Sequence, residues 1–287
     1  MNISRKLVTS LVAGLVLQGS VYLYLDQVLL APTASFEVSA AVGSQTSIEG
    51  KAYYSHDRRY RALVKTDSVE IYSMPGSKLV RTVPLKGQQL SYFKWLEDRN
   101  LALMGLYTET SSEYNRIVLT QLNPVSEGQE LATTIKNLPP ESKITDVAYS
   151  TATNVIYMQV QVASNPDRYR IYRTDANQDI TRIYINTSRV GSIGIISDQD
   201  SVIYDNLDDG TIIMRHGDGS WKLISPVVGQ YRLIGVSAKN SIYIAKINAE
   251  GLAETVLQGG LVEGFTQKRI LQPPVDIRSL QIGDITP

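Results

Sequence analysis

The sequence contains no cysteine, and only two of its 287 residues are histidine. Disulfide bonds and thiol catalysis are therefore excluded, and zinc sites built from Cys and His have too few ligands. Lys and Arg together number 28, as do Asp and Glu, so the formal net charge is zero. A chain without excess positive charge has no overall field that attracts a polyanion, which argues against nucleic-acid binding.

One long apolar segment follows the N-terminus. Residues 7–25 carry no charged side chain, whereas Arg5 and Lys6 precede them and Asp26 follows. As a helix this segment spans roughly 28 Å, close to the hydrocarbon thickness of a bilayer. The positive-inside rule then places the N-terminus in the cytoplasm and the main domain outside. We therefore expect residues 1–25 to form a cytoplasmic stub and a transmembrane signal anchor that lies in the lipid bilayer.

Two other interpretations of this segment remain open, a cleaved secretory signal and a buried helix of the globular domain. A cleaved signal has an apolar core of about 7–15 residues and a small-x-small site close behind it. Here the small residues 38–40 lie well beyond the apolar run. Because exported domains without cysteine are typical of bacteria, we expect a single-pass protein of the bacterial cell membrane. Residues 26–47, rich in Ala, Ser and Thr, are predicted to be a tether.

From residue 52 onwards the apolar pattern is typical of short β-strands. Runs of β-branched residues, Leu and Tyr alternate with turns rich in Ser, Asp, Asn and Gly. The clearest unit, residues 192–224, contains four such runs separated by three turns. Similar units, about 40 to 53 residues long, have first turns that start near residues 55, 97, 150, 197 and 237. This repeat predicts an all-β fold over residues 48–271, a β-propeller with about five blades.

Several stretches resemble the blades of TolB-like and WD40-like β-propellers, in which a Ser-x-Asp turn precedes a strand. Residues 154–157 and 169–177 follow the pattern of those blades, and residues 197–200 and 212–219 repeat the resemblance, which covers roughly residues 50–270. The Gly-His…Trp-Asp signature and the Pro-Asp-Gly turn are missing, so the resemblance implies the fold and carries over no functional residue. One or two β-sandwiches, which also consist of many short strands, are the alternative.

The C-terminal residues 272–287 begin with Pro273 and Pro274. Consecutive prolines interrupt sheet pairing, which favours a tail that binds a partner. A strand within residues 275–280 that closes the ring of blades is the alternative.

Few residues have the pattern of a metal or cofactor site. His56 and His216 lie in different repeats without neighbouring ligands, so we interpret both as turn residues. Asp and Asn side chains within residues 205–209 are potential calcium ligands, but the same residues suit a hairpin turn and the closing Glu of an EF-hand is missing. We predict no metal and no cofactor.

Hydrolysis on a five-bladed propeller would need two carboxylates that project from the innermost strands. The predicted innermost strands are residues 52–54, 90–95, 145–149, 192–196 and 231–236. Among these residues only Asp146 is acidic. One carboxylate cannot serve both as acid and as nucleophile, so we predict that the chain is not an enzyme.

Two stretches combine arginine with tyrosine, residue types that often anchor protein interfaces. Alternation along a strand places Arg168, Arg170 and Tyr172 on one face. Ordinary solvated strand faces are the alternative to an interaction surface. The candidate residues are Arg58, Arg59, Tyr60, Arg61, Arg168, Tyr169, Arg170, Tyr172 and Arg173.

These observations predict a non-enzymatic protein-interaction module or scaffold within an envelope complex. Its expected partners are the bilayer, through residues 7–25, and other proteins of the assembly, but no nucleic acid. A carbohydrate-active or other hydrolytic enzyme and a ligand-binding sensor are the alternative functions.

Overall fold

The computed structural model describes residues 50–109, 114–126 and 132–285. These residues form twenty β-strands in five antiparallel sheets of four strands each. Within every sheet the strands are paired in chain order, so each sheet is a simple meander. This arrangement confirms the all-β prediction and matches a five-bladed β-propeller, whereas β-sandwiches do not account for five separate sheets.

The strands are numbered in chain order. Sheet one contains β1 (Ala52–Tyr54), β2 (Tyr60–Val64), β3 (Ser68–Ser73) and β4 (Lys78–Pro84). Sheet two contains β5 (Gln89–Trp95), β6 (Ala102–Glu109), β7 (Asn115–Leu122) and β8 (Ala132–Leu138). Sheet three contains β9 (Lys143–Ser150), β10 (Val155–Ser164), β11 (Asp167–Thr174) and β12 (Ile180–Ile183). Sheet four contains β13 (Val190–Ile196), β14 (Ser201–Asn206), β15 (Thr211–His216) and β16 (Trp221–Leu223). Sheet five contains β17 (Gln230–Val236), β18 (Ile242–Ile247), β19 (Ala253–Gly260) and β20 (Gly264–Val275).

The first strand of each sheet packs against the first strand of the next sheet, from β1 through β5, β9 and β13 to β17. These strands coincide with the five predicted innermost strands. Tight turns follow them, and Asn154 and Asn240 adopt φ angles of 52° and 58° there. Asn tolerates this left-handed conformation better than most residues, which explains why the turn signals located the strands correctly.

Apolar side chains fill the spaces between consecutive sheets. Four buried clusters join sheet one to two, two to three, three to four and four to five. Both faces of β13 and β17 are covered along most of their length, so burial does not alternate in these two inner strands, whereas β1 is largely exposed. Tyr157 and Tyr204 are among the largest fully buried side chains.

Hydrogen bonds between turns add a polar link at each of these four junctions. The bonds run from Asn100 Nδ2 to Asp57 Oδ2 (2.9 Å), from Glu97 N to the Tyr149 hydroxyl (2.6 Å), from Ser150 Oγ to Ser197 O (2.5 Å) and from Ser197 N to Asn240 Oδ1 (2.8 Å).

The C-terminal residues differ from the predicted tail or closing strand. Strand β20 continues through both prolines to Val275, which pairs with Ala253, so the expected boundary at residue 272 falls inside a strand. A 3₁₀ turn, η1 (Ile277–Ser279), and a single helical turn, α1 (Ile282–Ile285), follow it. Ile282 and Ile285 are buried in a fifth apolar cluster together with residues of sheet five.

The predicted anchor and tether, residues 7–25 and 26–47, lie outside the described residues. Within the described ranges no helix has the length and hydropathy needed to cross a bilayer.

Candidate functional site

A β-bulge interrupts the innermost strand of sheets two, three, four and five. A bulge leaves one residue out of the ladder and frees its neighbouring backbone groups from regular pairing. The register shifts fall between Leu90 and Tyr92 in β5, between Ile144 and Asp146 in β9, between Val190 and Ile193 in β13, and between Leu233 and Gly235 in β17.

Side chains of the preceding sheet accept hydrogen bonds from the amides beside two of these bulges. Ser91 Oγ accepts from Ile144 N at 3.3 Å. Asp146 Oδ2 accepts from Ile193 N at 3.4 Å. Beside the bulge in β17, the backbone N–H of Leu233 favours the charged form of the Asp205 carboxyl. A hydroxyl and a carboxylate thus link the bulges in β9 and β13 to the sheet before each of them.

Asp146 lies on β9 and is 5% exposed. Burial disfavours the charged carboxylate and raises the pKa of Asp146 to about 6, although the positive charge of Lys94 and two backbone hydrogen bonds act in the opposite direction. Its strand partner Gln159 donates from Nε2 to the carbonyl of Gly191 at 3.1 Å. Asp146 and Gln159 therefore both contact sheet four.

Asp205 is the acidic residue that sequence reasoning missed. Residues 205–210 were expected to form a turn, but Asp205 belongs to β14 and is only 2% exposed. Burial raises the pKa of Asp205 to about 7, opposed by the nearby charge of Arg232. Arg232 Nη1 lies 3.6 Å from Asp205 Oδ1. The bulge in β13 lies opposite Asp205 and makes room for its side chain. A bulge has no characteristic local sequence pattern, so it could not be predicted from the sequence.

The acidic side chains of residues 205–209, considered above as potential calcium ligands, have separate partners in the structure. Asp205 faces Arg232, Asp208 Oδ2 accepts from Thr187 Oγ1 at 2.5 Å, and Asp209 Oδ1 accepts from Thr211 Oγ1 at 2.5 Å. Within the part of the chain that the structure describes, no three carboxylate or imidazole groups are gathered to hold a metal ion.

The first basic-aromatic stretch does not form one surface. Arg59 pairs with Asp57, and Arg61 lies over the ring of Tyr72 at 5.1 Å. The ring of Tyr60 stacks on that of Trp95, with centroids 6.4 Å apart. Arg58 is exposed in the turn before β2, with a φ of 58°. Each side chain of residues 58–61 thus has its own surroundings.

The second stretch follows the alternation expected of a strand, but only part of it reaches the surface. Tyr172 is buried on the side of sheet two, and Ile171 on the side of sheet four. Arg173 turns towards sheet four, where its Nη2 lies 2.7 Å from Asp200 Oδ2. Only residues 168–170 line an open cavity.

This cavity has a volume of about 220 Å³ and lies where β12 and the residues after it diverge from β11. Besides residues 168–170 it is lined by Arg182 and Tyr184, which sequence reasoning missed. Tyr184 is 70% exposed, and the guanidinium of Arg182 lies over its ring at 4.9 Å. We call the cavity the arginine groove, defined by Arg168, Tyr169, Arg170, Arg182 and Tyr184.

No protein-family model and no curated protein matches the sequence. Similar solved structures include a streptogramin B lyase (14% identity, TM-score 0.49, covering 83% of this chain and 73% of that one). They also include a luciferin-regenerating enzyme (11% identity, TM-score 0.47, covering 83% and 80%). A third is the β-propeller domain of Cps50 (Swd1) from Myceliophteria thermophila (12% identity, TM-score 0.47, covering 79% and 74%). The five consecutive four-stranded meanders, not these similarities, carry the assignment of the β-propeller fold that the TolB-like and WD40-like blade pattern predicted.

The prediction that the chain is not an enzyme is wrong. A β-propeller fold does not by itself establish that a protein lacks catalytic activity. The similar solved structures named above include a lyase and a luciferin-regenerating enzyme. The supporting argument was also incomplete, because it counted one acidic residue near the inner strands where the structure has two buried carboxylic acids, Asp146 and Asp205.

Proposed function

We propose that this protein is a membrane-anchored, extracytoplasmic β-propeller that binds other proteins within an assembly of the bacterial envelope. The observation that carries the proposal is the arginine groove, in which Arg168, Arg182 and Tyr184 are exposed while Tyr169 and Arg170 are half-buried. Arg and Tyr are enriched among the residues that dominate binding at protein interfaces. The charge pattern around residues 7–25 supports the location outside the membrane.

The proposal is tested on native membranes. They are solubilised gently, the mass of the particle that contains this protein is measured, and crosslinking identifies its neighbours. A defined particle with several proteins is expected, and a chain lacking residues 1–27 should fold yet fail to join it. A monomer in native membranes would overturn the proposal.

A second candidate function is hydrolysis, favoured by the two buried carboxylic acids. A carboxyl group with a pKa of about 6 or 7 gains and loses its proton near neutral pH, as a general acid or base requires. Screening of glycoside substrates with the wild type, Asp146→Asn and Asp205→Asn tests it. Turnover that both variants abolish would establish the enzyme, and turnover that survives both would exclude these residues from catalysis.

A further inference from the structure

The arginine groove lies at a fork between two strands. Strand β12 pairs with β11 from Thr174 as far as Ile171, but β11 extends further, to Asp167. Past the fork, Tyr169 N donates to the carbonyl of Ser188 at 2.8 Å. This backbone N–H therefore already has a hydrogen-bond acceptor and is not free to bind a ligand. We expect side chains to recognise the ligand of this groove.

The groove brings three arginine side chains together. The guanidinium groups of Arg168, Arg170 and Arg182 make no hydrogen bond or ion pair with any described residue. The neighbouring carboxylates have other hydrogen-bond partners, since Asp167 Oδ1 accepts from Gln161 Nε2 at 2.7 Å and Asp208 accepts from Thr187. Three like charges beside one cavity repel one another, and a negatively charged ligand relieves that repulsion.

The side chains and the volume of the groove indicate which kind of ligand it can bind. The guanidinium group is planar and matches a carboxylate through two parallel hydrogen bonds. The ring of Tyr184, already in contact with Arg182, adds an exposed apolar surface beside the charges. A volume of about 220 Å³ lies below the range of roughly 300–1,000 Å³ that encloses a drug-sized molecule, so a few side chains fit better than a whole small ligand.

We propose that the arginine groove receives an acidic segment of a partner protein. Carboxylates of Asp or Glu pair with Arg168, Arg170 and Arg182, and an apolar or aromatic neighbour in the segment rests on Tyr184. The proposal rests on the proposed function and adds to it the chemistry of the partner.

The test uses the full chain in detergent and a fluorescein-labelled peptide of alternating glutamate and tyrosine, with fluorescence anisotropy as the readout. The matched probe replaces every glutamate by glutamine. The glutamate peptide is expected to bind, more weakly as salt increases, and the glutamine peptide is not. Each of Arg168→Gln, Arg170→Gln and Arg182→Gln should weaken binding about fivefold, the upper value for a solvent-exposed ion pair.

Arg116→Gln is the matched control, because Arg116 is exposed on β7 of sheet two and has no hydrogen bond or ion pair among the described residues. It should bind the glutamate peptide as the wild type does. Arg170→Glu, which leaves two arginines and adds one negative charge, should weaken binding of the glutamate peptide more than Arg170→Gln does. This graded loss would show that the charges of the groove are in contact with the probe.

Three results would overturn the inference: equal binding of the glutamine peptide, unchanged binding by all three groove variants, or competition by a phosphoserine peptide or inorganic phosphate but not by free glutamate peptide. A negative result in the peptide-binding experiment can be distinguished from a failure of the proposed function. If the native particle persists in the groove variants, the protein still belongs to an assembly, but this groove does not hold it there.

Discussion

The carboxylate of Asp205 lies directly against the backbone of Gly191 in the neighbouring strand. A Cβ atom at residue 191 would be 2.4 Å from Asp205 Oδ2 and 2.8 Å from its Cγ. The bulge between Val190 and Ile193 surrounds this point of contact. The absence of a side chain at Gly191 thus lets a carboxylate enter the sheet, where Asp205 Oδ1 lies 3.6 Å from Arg232 Nη1 of sheet five.

Gly191→Ala is expected to destabilise the protein by about 1–3 kcal/mol, because the added methyl group overlaps the buried carboxylate. The double variant Gly191→Ala/Asp205→Ala should cost less than the sum of the two single variants, since the clash is then gone. Thermal unfolding of the full chain in detergent measures both. Gly260→Ala serves as the control, because a Cβ there meets nothing closer than Glu263 Oε2 at 3.5 Å. Strictly additive effects would contradict the contact.

The two buried carboxylic acids should make the protein less stable as the pH rises. Their pKa values in the folded protein, about 6 for Asp146 and about 7 for Asp205, lie above the ordinary value of 3.8. Between those limits the native state holds protons that the unfolded state has released. Stability therefore falls with rising pH, by up to about 1.4 kcal/mol per pH unit for each group, and levels off above pH 7.

Asp205→Asn should flatten this pH dependence, because an amide has nearly the shape of the carboxyl group but does not titrate. Unfolding midpoints measured between pH 5 and 8 check the prediction. Asp179→Asn, at an exposed position, should leave the slope unchanged. An Asp205→Asn curve parallel to that of the wild type would show that this carboxyl does not take up a proton in the folded protein.

Asp200 connects sheets three and four. Its carboxylate accepts from the Tyr157 hydroxyl at 2.5 Å and from Arg173 Nε at 2.9 Å. Because Tyr157 is 1% exposed, Asp200→Ala leaves a buried hydroxyl without this acceptor and should cost about 2 kcal/mol. Asp200→Asn, which keeps an acceptor oxygen, should cost less. Asp179→Ala is the control in the same thermal measurement, and an equal loss in that variant would argue against a specific role for Asp200.

The C-terminal segment should contribute to the stability of sheet five. Ile282 and Ile285 are 3% and 6% exposed, so Ile282→Ala or Ile285→Ala should each cost about 2–4 kcal/mol. Ile270→Ala, at a position that is 55% exposed, should have little effect. Limited proteolysis of the variants should show earlier cleavage after residue 276. Protection equal to that of the wild type would mean that the segment is held by other contacts.

The strands were predictable because each inner strand is a short apolar run and is followed by a turn with its own chemistry, such as the Asn residues at 154 and 240. The residues of the site were less predictable. Asp205 was assigned to a turn, since the bulge that admits it involves Gly191, fourteen positions earlier in the chain. Pairing across a bulge is a property of two strands together and leaves no mark on either strand alone.

The residues of the arginine groove could be predicted only in part, for the same reason. Alternation correctly placed Tyr172 and Ile171 on opposite faces, but it did not reveal which neighbour covers each face. Arg182 lies opposite Tyr172 on the next strand and thereby brings a third arginine to the groove. Arg173, expected at the surface, is instead neutralised by Asp200 of another sheet. Contacts between strands decided these outcomes.

The burial of Ile282 and Ile285 against sheet five has a consequence for how the chain is made. Protein synthesis delivers the five sheets in order, and each sheet after the first finds its predecessor already available to pack against. The apolar side chains of sheet five that η1 and α1 cover stay exposed until residues 277–285 have left the ribosome. A nascent chain that ends before these residues therefore presents an apolar surface to chaperones and proteases, and the surface is buried once η1 and α1 pack onto it.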